Sequence, residues 1–198
     1  MPIYEHTKRV ASISAAFYNA GVSVAKKLSY YKDGAVYVNM AAYLAAITNF
    51  AFSCETALKA QLPFKTQGHR LVELFGKLEA SEQRDLIEYV CLESKDREKS
   101  PKDVHINACK SDTDFMILLK ESDDIFVDAR YIYEGDRKTK NYPLWFLEDL
   151  AKCSLIQFDY DVDKNTGLMK HTDDNDYMTV RFSDEITKMI LKDKGIEV

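Results

Sequence analysis

The stretch Gly34–Cys54, GAVYVNMAAYLAAITNFAFSC, decides the fold, because it carries no charged residue over 21 positions. About 20 apolar residues are enough to span a bilayer as a helix. Four polar residues interrupt this stretch: Asn39, Thr48, Asn49 and Ser53. Because no second such segment exists to satisfy their side chains inside a membrane, we predict a buried central helix over residues 35–62, ending before Pro63.

The composition favours long helices within one domain. The chain has 198 residues, of which only 7 are Gly and 4 are Pro, so few residues are available for tight turns. This scarcity argues against an all-β protein. The formal net charge is −5, so no global basic field attracts nucleic acid, and any contact with RNA or a nucleotide has to be local.

Hydrophobic spacing predicts further helices on both sides of the central one. Residues 5–31 place apolar side chains at helical spacing, and Lys32-Asp33-Gly34 marks the break before the central helix. The other predicted segments are a third helix from Gly68, a fourth from Ser81, a charged loop over 93–112, a fifth helix over 113–134, a sixth from Tyr142-Pro143, an exposed and loosely ordered acidic stretch over 159–176, and a last helix capped by Ser183.

The cysteine pattern points to the compartment. Cys54, Cys91, Cys109 and Cys153 are dispersed and never form a closely spaced pair. Such cysteines are typical of reduced, packed thiols in a cytosolic protein, whereas zinc sites show close ligand spacing. The N-terminus, MPIYEHTKRV, shows no secretory signal. We therefore expect a cytoplasmic protein with no metal ion and no cofactor.

Three stretches carry a resemblance to a known family. They are Asn49 with Glu55 and Lys59 in NFAFSCETALKAQL, the unit Gly68-His69-Arg70-Leu71 followed by Leu74 and Leu78, and Phe126–Glu134, FVDARYIYE. Their order and spacing resemble a HEPN domain, the all-α superfamily of prokaryotic toxin–antitoxin and phage-defence systems that is also fused to nucleotidyltransferases. The resemblance covers about residues 35–135, and residues 140–198 form an extension without a counterpart.

Together with the helical pattern, this resemblance implies an all-α fold. We expect an up-and-down bundle of four to six helices with a short irregular C-terminal extension, in a single domain over residues 1–198. Members of the superfamily are usually homodimers, which implies a homodimer here, without membrane association. RNA or a nucleotide is the implied ligand, and a nucleotidyltransferase-type protein is the implied partner.

The resemblance also bears on catalysis. In many HEPN proteins an Arg followed after four to six residues by His forms a metal-independent ribonuclease site across the dimer. Arg130 matches that Arg, but positions 135–137 hold Gly, Asp and Arg. Histidine is the residue that exchanges a proton near neutral pH during attack by a ribose 2′-OH. The sequence therefore predicts the fold together with weak or absent RNA cleavage.

Arg130 and Glu134 are the first candidate catalytic residues, because they stand four positions apart on one predicted helix face. One interpretation is a structural ion pair, which contributes little to stability when exposed. The other is a phosphate-binding guanidinium at Arg130, placed beside Tyr131 and Tyr133 as ligand-binding residues whose rings can stack on bases.

Three further candidates come from the other two stretches. His69 is the third candidate catalytic residue: it is either a capping or packing histidine, or a substitute acid or base brought near Arg130 by the bundle. Asn49 and Glu55, the remaining ligand-binding candidates, are polar residues on an apolar helix. Such residues either make hydrogen bonds between helices or face a ligand cleft.

Three functions follow from these alternatives. The first is a HEPN-like RNA- or nucleotide-interacting accessory protein of a prokaryotic defence or toxin–antitoxin system, weakly or not catalytic. The second is an active metal-independent ribonuclease with an atypical acid or base. The third is a non-catalytic helical scaffold in which the apolar central helix is the dimer seam. A cleft lined by Arg130 and His69 favours the first two.

Overall fold

The computed structural model describes residues 3–33, 35–63, 65–98, 109–125, 128 and 142–172. The helices in this part of the chain are α1 (Ile3–Ala25), α2 (Met40–Gln61), α3 (Leu71–Phe75), α4 (Ala80–Glu98), α5 (Asp112–Glu121) and α6 (Leu144–Ile156). The strands are β1 (Ser29–Lys32), β2 (Ala35–Val38), β3 (Tyr160–Val162) and β4 (Met169–His171). Helices dominate, which confirms the all-α prediction.

Helices α1 and α2 pack closely along their length. Ser14 Oγ donates to the Ser53 carbonyl at 2.8 Å, and Ser53 Oγ donates to the Ser14 carbonyl at 3.0 Å. Two turns further along α1, a Cβ on Gly21 would lie 2.7 Å from the ring of Phe50. The contacts move forward along α1 and backward along α2, so the two helices run antiparallel. Only a glycine permits this close approach.

The connection between α1 and α2 differs from the prediction. Strands β1 and β2 pair antiparallel, with Lys32 opposite Ala35, and Asp33 has φ of 51°. The predicted central helix is therefore wrong over its first residues: α2 begins only at Met40, after the Asn39 side chain accepts from the Ala42 N–H at 3.2 Å. Alternating Tyr and Val favour a strand here.

Helix α2 nevertheless lies at the centre of the bundle, as predicted. It packs against α1, α3 and α6, and its Cys54 Sγ donates to the Leu147 carbonyl at 3.2 Å. Its buried residues include Ile47, Phe50 and Leu58, whereas Met40 and Phe52 are exposed. The helix is thus largely buried, but it leaves some apolar side chains exposed. Within the described ranges, no helix has both the length and the apolar character needed to cross a bilayer.

The remaining helices differ from the prediction in their bounds. Helix α4 continues to Glu98, so the charged loop predicted over 93–112 is wrong over its first residues, whereas α1 ends at Ala25 instead of residue 31. Ring centroids of Phe75 on α3 and Phe115 on α5 lie 5.1 Å apart, and Phe115 lies 5.4 Å from Phe146 on α6. Helix α5 ends at Glu121, with Ser122 as its C-cap, instead of continuing as one helix to Glu134. Most of the residues predicted to continue it, 126–127 and 129–134, lie outside the described part of the chain.

The acidic stretch after α6 was predicted to be loosely ordered over 159–176, and this was wrong for the two strands at 160–162 and 169–171. Strands β3 and β4 form an antiparallel hairpin that packs on α1. The Asn19 amide on α1 donates to the Met169 carbonyl at 3.0 Å and accepts from the Met169 N–H at 2.6 Å. A side chain in α1 thus completes the edge of the hairpin. The helix predicted after Ser183 lies outside the described residues.

Candidate functional site

The last two turns of α2 carry a buried carboxylate. Glu55 is only 5% exposed, and its Oε1 accepts from Lys59 Nζ at 2.6 Å and lies 2.9 Å from His69 Nδ1. Among the described residues, Glu55 Oε2 has no hydrogen-bond partner. Burying a carboxylate is unfavourable unless its charge is paired. Lys59 supplies that pairing, and His69 adds a hydrogen bond.

His69 faces outward from the loop between α2 and α3. Its side chain is 75% exposed, although its Nδ1 contacts the buried Glu55. A carboxylate only accepts hydrogen bonds, so Nδ1 carries the proton in this pair, and Nε2 is the acceptor nitrogen of the neutral ring. A carboxylate that fixes the imidazole in this way prepares Nε2 to act as a general base.

Arg70, the next residue, is held in the same manner by a second carboxylate. Its Nε and Nη2 contact Oδ2 of Asp123 at 2.7 Å and 2.6 Å. Asp123 is 6% exposed, and its Oδ1 accepts from the Val72 N–H at 2.8 Å at the start of α3. The guanidinium itself is 66% exposed. An imidazole and a guanidinium on consecutive residues therefore project from a surface loop, each oriented by a buried carboxylate.

The loop that carries them has a fixed shape. Pro63 stands just past the end of α2, and both the N–H and the hydroxyl of Thr66 donate to the Pro63 carbonyl, at 3.1 Å and 2.7 Å. Gly68 has φ of 111°, a conformation that L side chains rarely adopt. A Cβ at this position would also lie 3.3 Å from the Glu73 carboxylate. Gly68 therefore permits the turn that presents His69.

A cavity of about 490 Å³ opens beside this loop. It is lined by Leu62, Pro63, Thr66, Gln67, Gly68, Glu73 and Lys77. Lys77 Nζ donates to Glu73 at 2.5 Å and to the Gln67 carbonyl at 3.3 Å. The Lys77 hydrogen bond and charge, with a further contribution from Arg70, hold the pKa of Glu73 below its ordinary value. The cavity volume lies within the range of about 300–1,000 Å³ that is usual for small-molecule sites.

The structure brings together only some of the predicted site residues. Glu55 and His69 are in contact, as described above. Asn49 instead donates to the Ala45 carbonyl of its own helix at 2.8 Å, and no described hydrogen bond joins it to Glu55 or His69. The hydrogen bond to Ala45 is within one helix, so Asn49 is not part of the charged cluster.

The other predicted residues, Arg130, Tyr131, Tyr133 and Glu134, lie outside the described residues. Their nearest described neighbours on either side are Asp128 and Tyr142, and the Tyr142 hydroxyl donates to the Asp128 carboxylate. The proximity of Arg130 to His69 stays a prediction. In the described part of the chain, no three His, Cys, Asp or Glu side chains come together in an arrangement able to bind a metal ion.

Arg70, Asp123 and Lys77 were not among the predicted site residues. Arg70 is adjacent to the His69 candidate and belongs to the Gly68–Leu71 unit of the family resemblance. Asp123 gives no local signal, because it is 53 residues from Arg70 in the chain. Only the packing of α3 against α5 brings the two together.

Comparison with known proteins adds no assignment: no family model, no curated protein and no solved structure matches the chain.

Proposed function

We propose that this protein binds RNA or a nucleotide through phosphate groups, at the surface formed by His69 and Arg70. The observation that carries the proposal is the pair of buried carboxylates, Glu55 and Asp123, each holding one outward-facing nitrogen-bearing side chain. Holding the side chains in place before binding lowers the conformational entropy that a ligand contact has to overcome. This arrangement supports a local anion site on a protein of net charge −5.

Arg70 supplies the stronger of the two expected phosphate contacts. A guanidinium has five N–H donors, and the described contacts of Arg70 to Asp123 use Nε and Nη2. The remaining donors suit a phosphate group, which guanidinium binds in a bidentate manner. The cavity beside Gly68 then receives the nucleoside: Leu62 and Pro63 provide apolar surface, and Gln67 provides polar groups.

A second candidate function, a metal-independent ribonuclease, is favoured by the 2.9 Å contact between His69 Nδ1 and Glu55. In this reaction Nε2 of His69 takes the proton of a ribose 2′-OH, and the 2′-oxygen attacks the adjacent phosphorus. The bond to the 5′-oxygen breaks, that oxygen takes a proton from an acid, and a 2′,3′-cyclic phosphate forms. Arg70 stabilises the charge that develops on the phosphate oxygens. The candidates Arg130 and Glu134 are proposed to complete the site.

The wider setting is proposed from the family resemblance. It places the protein in the cytoplasm as a HEPN-type accessory protein of a defence or toxin–antitoxin system, with a nucleotidyltransferase-type partner. We propose a homodimer through the outer face of α1 and α2, where the rings of Phe17 and Phe52 stack with centroids 5.2 Å apart and Phe52 is exposed. Sedimentation that shows only a monomer at micromolar concentration would contradict the homodimer. That result would not distinguish the binding proposal from the ribonuclease candidate.

Anisotropy of a short fluorescein-labelled single-stranded RNA, and of a fluorescent nucleotide, tests the binding proposal. We expect Arg70→Ala to weaken binding by about tenfold or more, because a charged hydrogen bond contributes about 1.5–3 kcal/mol. Arg84→Ala is the matched control, since Arg84 is an exposed arginine on α4. Binding by neither probe, or equal effects of the two variants, would favour the scaffold function.

Cleavage in the presence of a chelator tests the ribonuclease candidate. We expect His69→Gln to abolish cleavage and Glu55→Gln to reduce it, whereas His171→Gln on β4 leaves it unchanged. An RNA with a 2′-deoxy substitution at the cleaved position should be resistant. If the purified protein binds RNA but does not cleave it, the ribonuclease candidate is wrong and the binding proposal stands.

A further inference from the structure

Two of the four cysteines lie side by side in the core. Cys91 on α4 and Cys109, which precedes α5, have their Sγ atoms 3.4 Å apart, and both are free thiols. Cys54, also buried, instead donates its thiol to the Leu147 carbonyl. The members of the close pair are 18 positions apart in the sequence, so only the fold makes the pair visible.

Backbone contacts hold the two thiols in position independently of each other. Cys91 lies on the buried face of α4, beside Val90. The Cys109 N–H donates to Ser94 Oγ at 2.9 Å, which attaches this residue to α4 one turn beyond Cys91. Two positions later, Ser111 caps α5 by accepting from the Asp114 N–H at 3.2 Å. The proximity of the thiols therefore does not depend on the thiols themselves.

We propose that Cys91 and Cys109 form a reversible intramolecular disulfide when the protein meets hydrogen peroxide, which joins α4 covalently to the start of α5. A disulfide bond is about 2.05 Å long, so the sulfur atoms have to approach by roughly 1.4 Å. Side-chain torsion at the two residues supplies a movement of this size. The inference is independent of the proposed function.

The chemistry balances with peroxide as the oxidant. Cys91 is 8% exposed and Cys109 is 1% exposed, so the first attack falls on Cys91. The Cys91 thiol loses its proton and its sulfur attacks one peroxide oxygen; the O–O bond breaks, the departing hydroxide takes up that proton as water, and a sulfenic acid remains. The sulfur of Cys109 then attacks the sulfur of Cys91, the S–O bond breaks, and the Cys109 proton leaves with the hydroxyl as a second water. Two thiols are oxidised, and one peroxide is reduced to two waters.

The environment of the two thiols sets the rate at which the disulfide forms. Burial, followed by the neighbouring Cys91 and the charges of Asp114 and Asp149, raises the pKa of Cys109. This thiol is therefore protonated at neutral pH, and we expect a reaction slower than that of an exposed thiol. Closing the loop between the two residues restricts the unfolded chain, so the oxidised protein should melt several degrees above the reduced protein.

Peptide mapping of the whole chain tests this proposal without any variant. After exposure to peroxide, unreacted thiols are alkylated under denaturing conditions and the protein is cleaved with trypsin. The four cysteines then lie in four peptides, residues 33–59, 85–95, 103–110 and 153–164. We expect a cross-link between 85–95 and 103–110, a mass loss of about 2 Da, and full reversal by dithiothreitol.

Serine variants identify the residues involved. Cys91→Ser and Cys109→Ser should each abolish the mass loss, whereas the matched control Cys54→Ser should retain it. The proposal is wrong if all four thiols in the wild-type protein remain open to alkylation after peroxide treatment. It is also wrong if the disulfides that form join two chains, or if Cys54 and Cys153 are lost at the same rate as the pair.

Discussion

Two neighbouring parts of α2 bury polar groups for different purposes. In the middle of the helix, Ser14 and Ser53 exchange hydrogen bonds between α1 and α2, and none of this hydrogen bonding reaches the surface. Two residues later, Glu55 is also buried, but it pairs with Lys59 and with the outward-facing His69. One oxygen of Glu55 has no partner among the described residues.

The serine contact and the Glu55 contacts differ in how much they stabilise the fold. Polar groups that satisfy each other, such as the two serines, allow helices to approach at no net loss of hydrogen bonds. The contact of Glu55 with His69 stabilises the bundle less than the serine contact does. The His69 side chain is mostly exposed, and exposed charged contacts contribute little to stability. A buried carboxylate that orients an exposed side chain is therefore better explained by what that side chain does at the surface.

The largest effect is expected where α1 and α2 pack. Phe50→Ala should lower the free energy of unfolding by about 3–5 kcal/mol, because the ring is fully buried against Gly21 and Tyr18. Phe52→Ala is the matched control on the same helix: this ring is partly exposed and should contribute about 1.5 kcal/mol or less through its stacking on Phe17. Urea unfolding gives both values. Equal losses would mean that the packing is not confined to the inner face.

The next effect concerns Asp123, the carboxylate that holds Arg70. Asp123→Ala should lower the free energy of unfolding by about 1–3 kcal/mol, because the Val72 N–H loses its acceptor. Arg70→Ala should cost about 1 kcal/mol or less, since this side chain is largely exposed. The two variants should nevertheless weaken RNA binding alike. If Arg70→Ala destabilises as much as Asp123→Ala, the guanidinium serves the fold and the comparison fails.

A smaller effect is expected for the serine contact. Ser53→Ala should lower the free energy of unfolding by about 1 kcal/mol, the net contribution of a typical hydrogen bond. Ser23→Ala is the control, because the Ser23 hydroxyl donates to the Asn19 carbonyl on an exposed face of α1. We expect no measurable change in RNA binding for either variant. A binding defect in Ser53→Ala would show that the middle of α2 also belongs to the site.

The sequence predicted the helices more fully than the two hairpins. The absence of charge over 34–54 identified α2, because a helix that is mostly apolar has to be buried. The hairpin of β1 and β2 was missed because four-residue strands give almost no periodic signal. The hairpin of β3 and β4 was missed because Asn19, which satisfies its edge, is 150 residues away.

The site was predicted in the same uneven way. His69 and Glu55 were chosen for their chemistry, and they are in contact although 14 residues apart. Their partners could not be chosen similarly. Arg70 looks like any exposed arginine in the sequence, and Asp123 looks like any acidic residue after a helix. Burial of one carboxylate against one guanidinium is a property of the packed bundle, and no local pattern encodes it.

The smallest effect on stability is expected for a carboxylate outside α2. Asp163, in the turn between β3 and β4, pairs with Lys170 and accepts from the N–H and the hydroxyl of Thr166 at 2.9 Å and 3.0 Å. The Lys170 hydrogen bond, with those from Thr166, holds the pKa of this carboxyl well below its ordinary value. The charged form is therefore favoured in the folded protein.

A lowered pKa in the folded state determines the sign of the pH dependence. The contribution of Asp163 to the stability of the folded protein should be complete above the ordinary carboxyl pKa of about 3.9. It should be lost as the pH falls toward the lowered pKa of the folded state. The melting temperature of Asp163→Asn should accordingly lie slightly below that of the wild type at neutral pH, and the two should converge in acid. Because the hairpin packs on α1 whereas His69 belongs to the loop before α3, we expect RNA binding by the variant to be unchanged. Curves that stay parallel down to acid pH would show that this carboxyl contributes no charge-dependent stability.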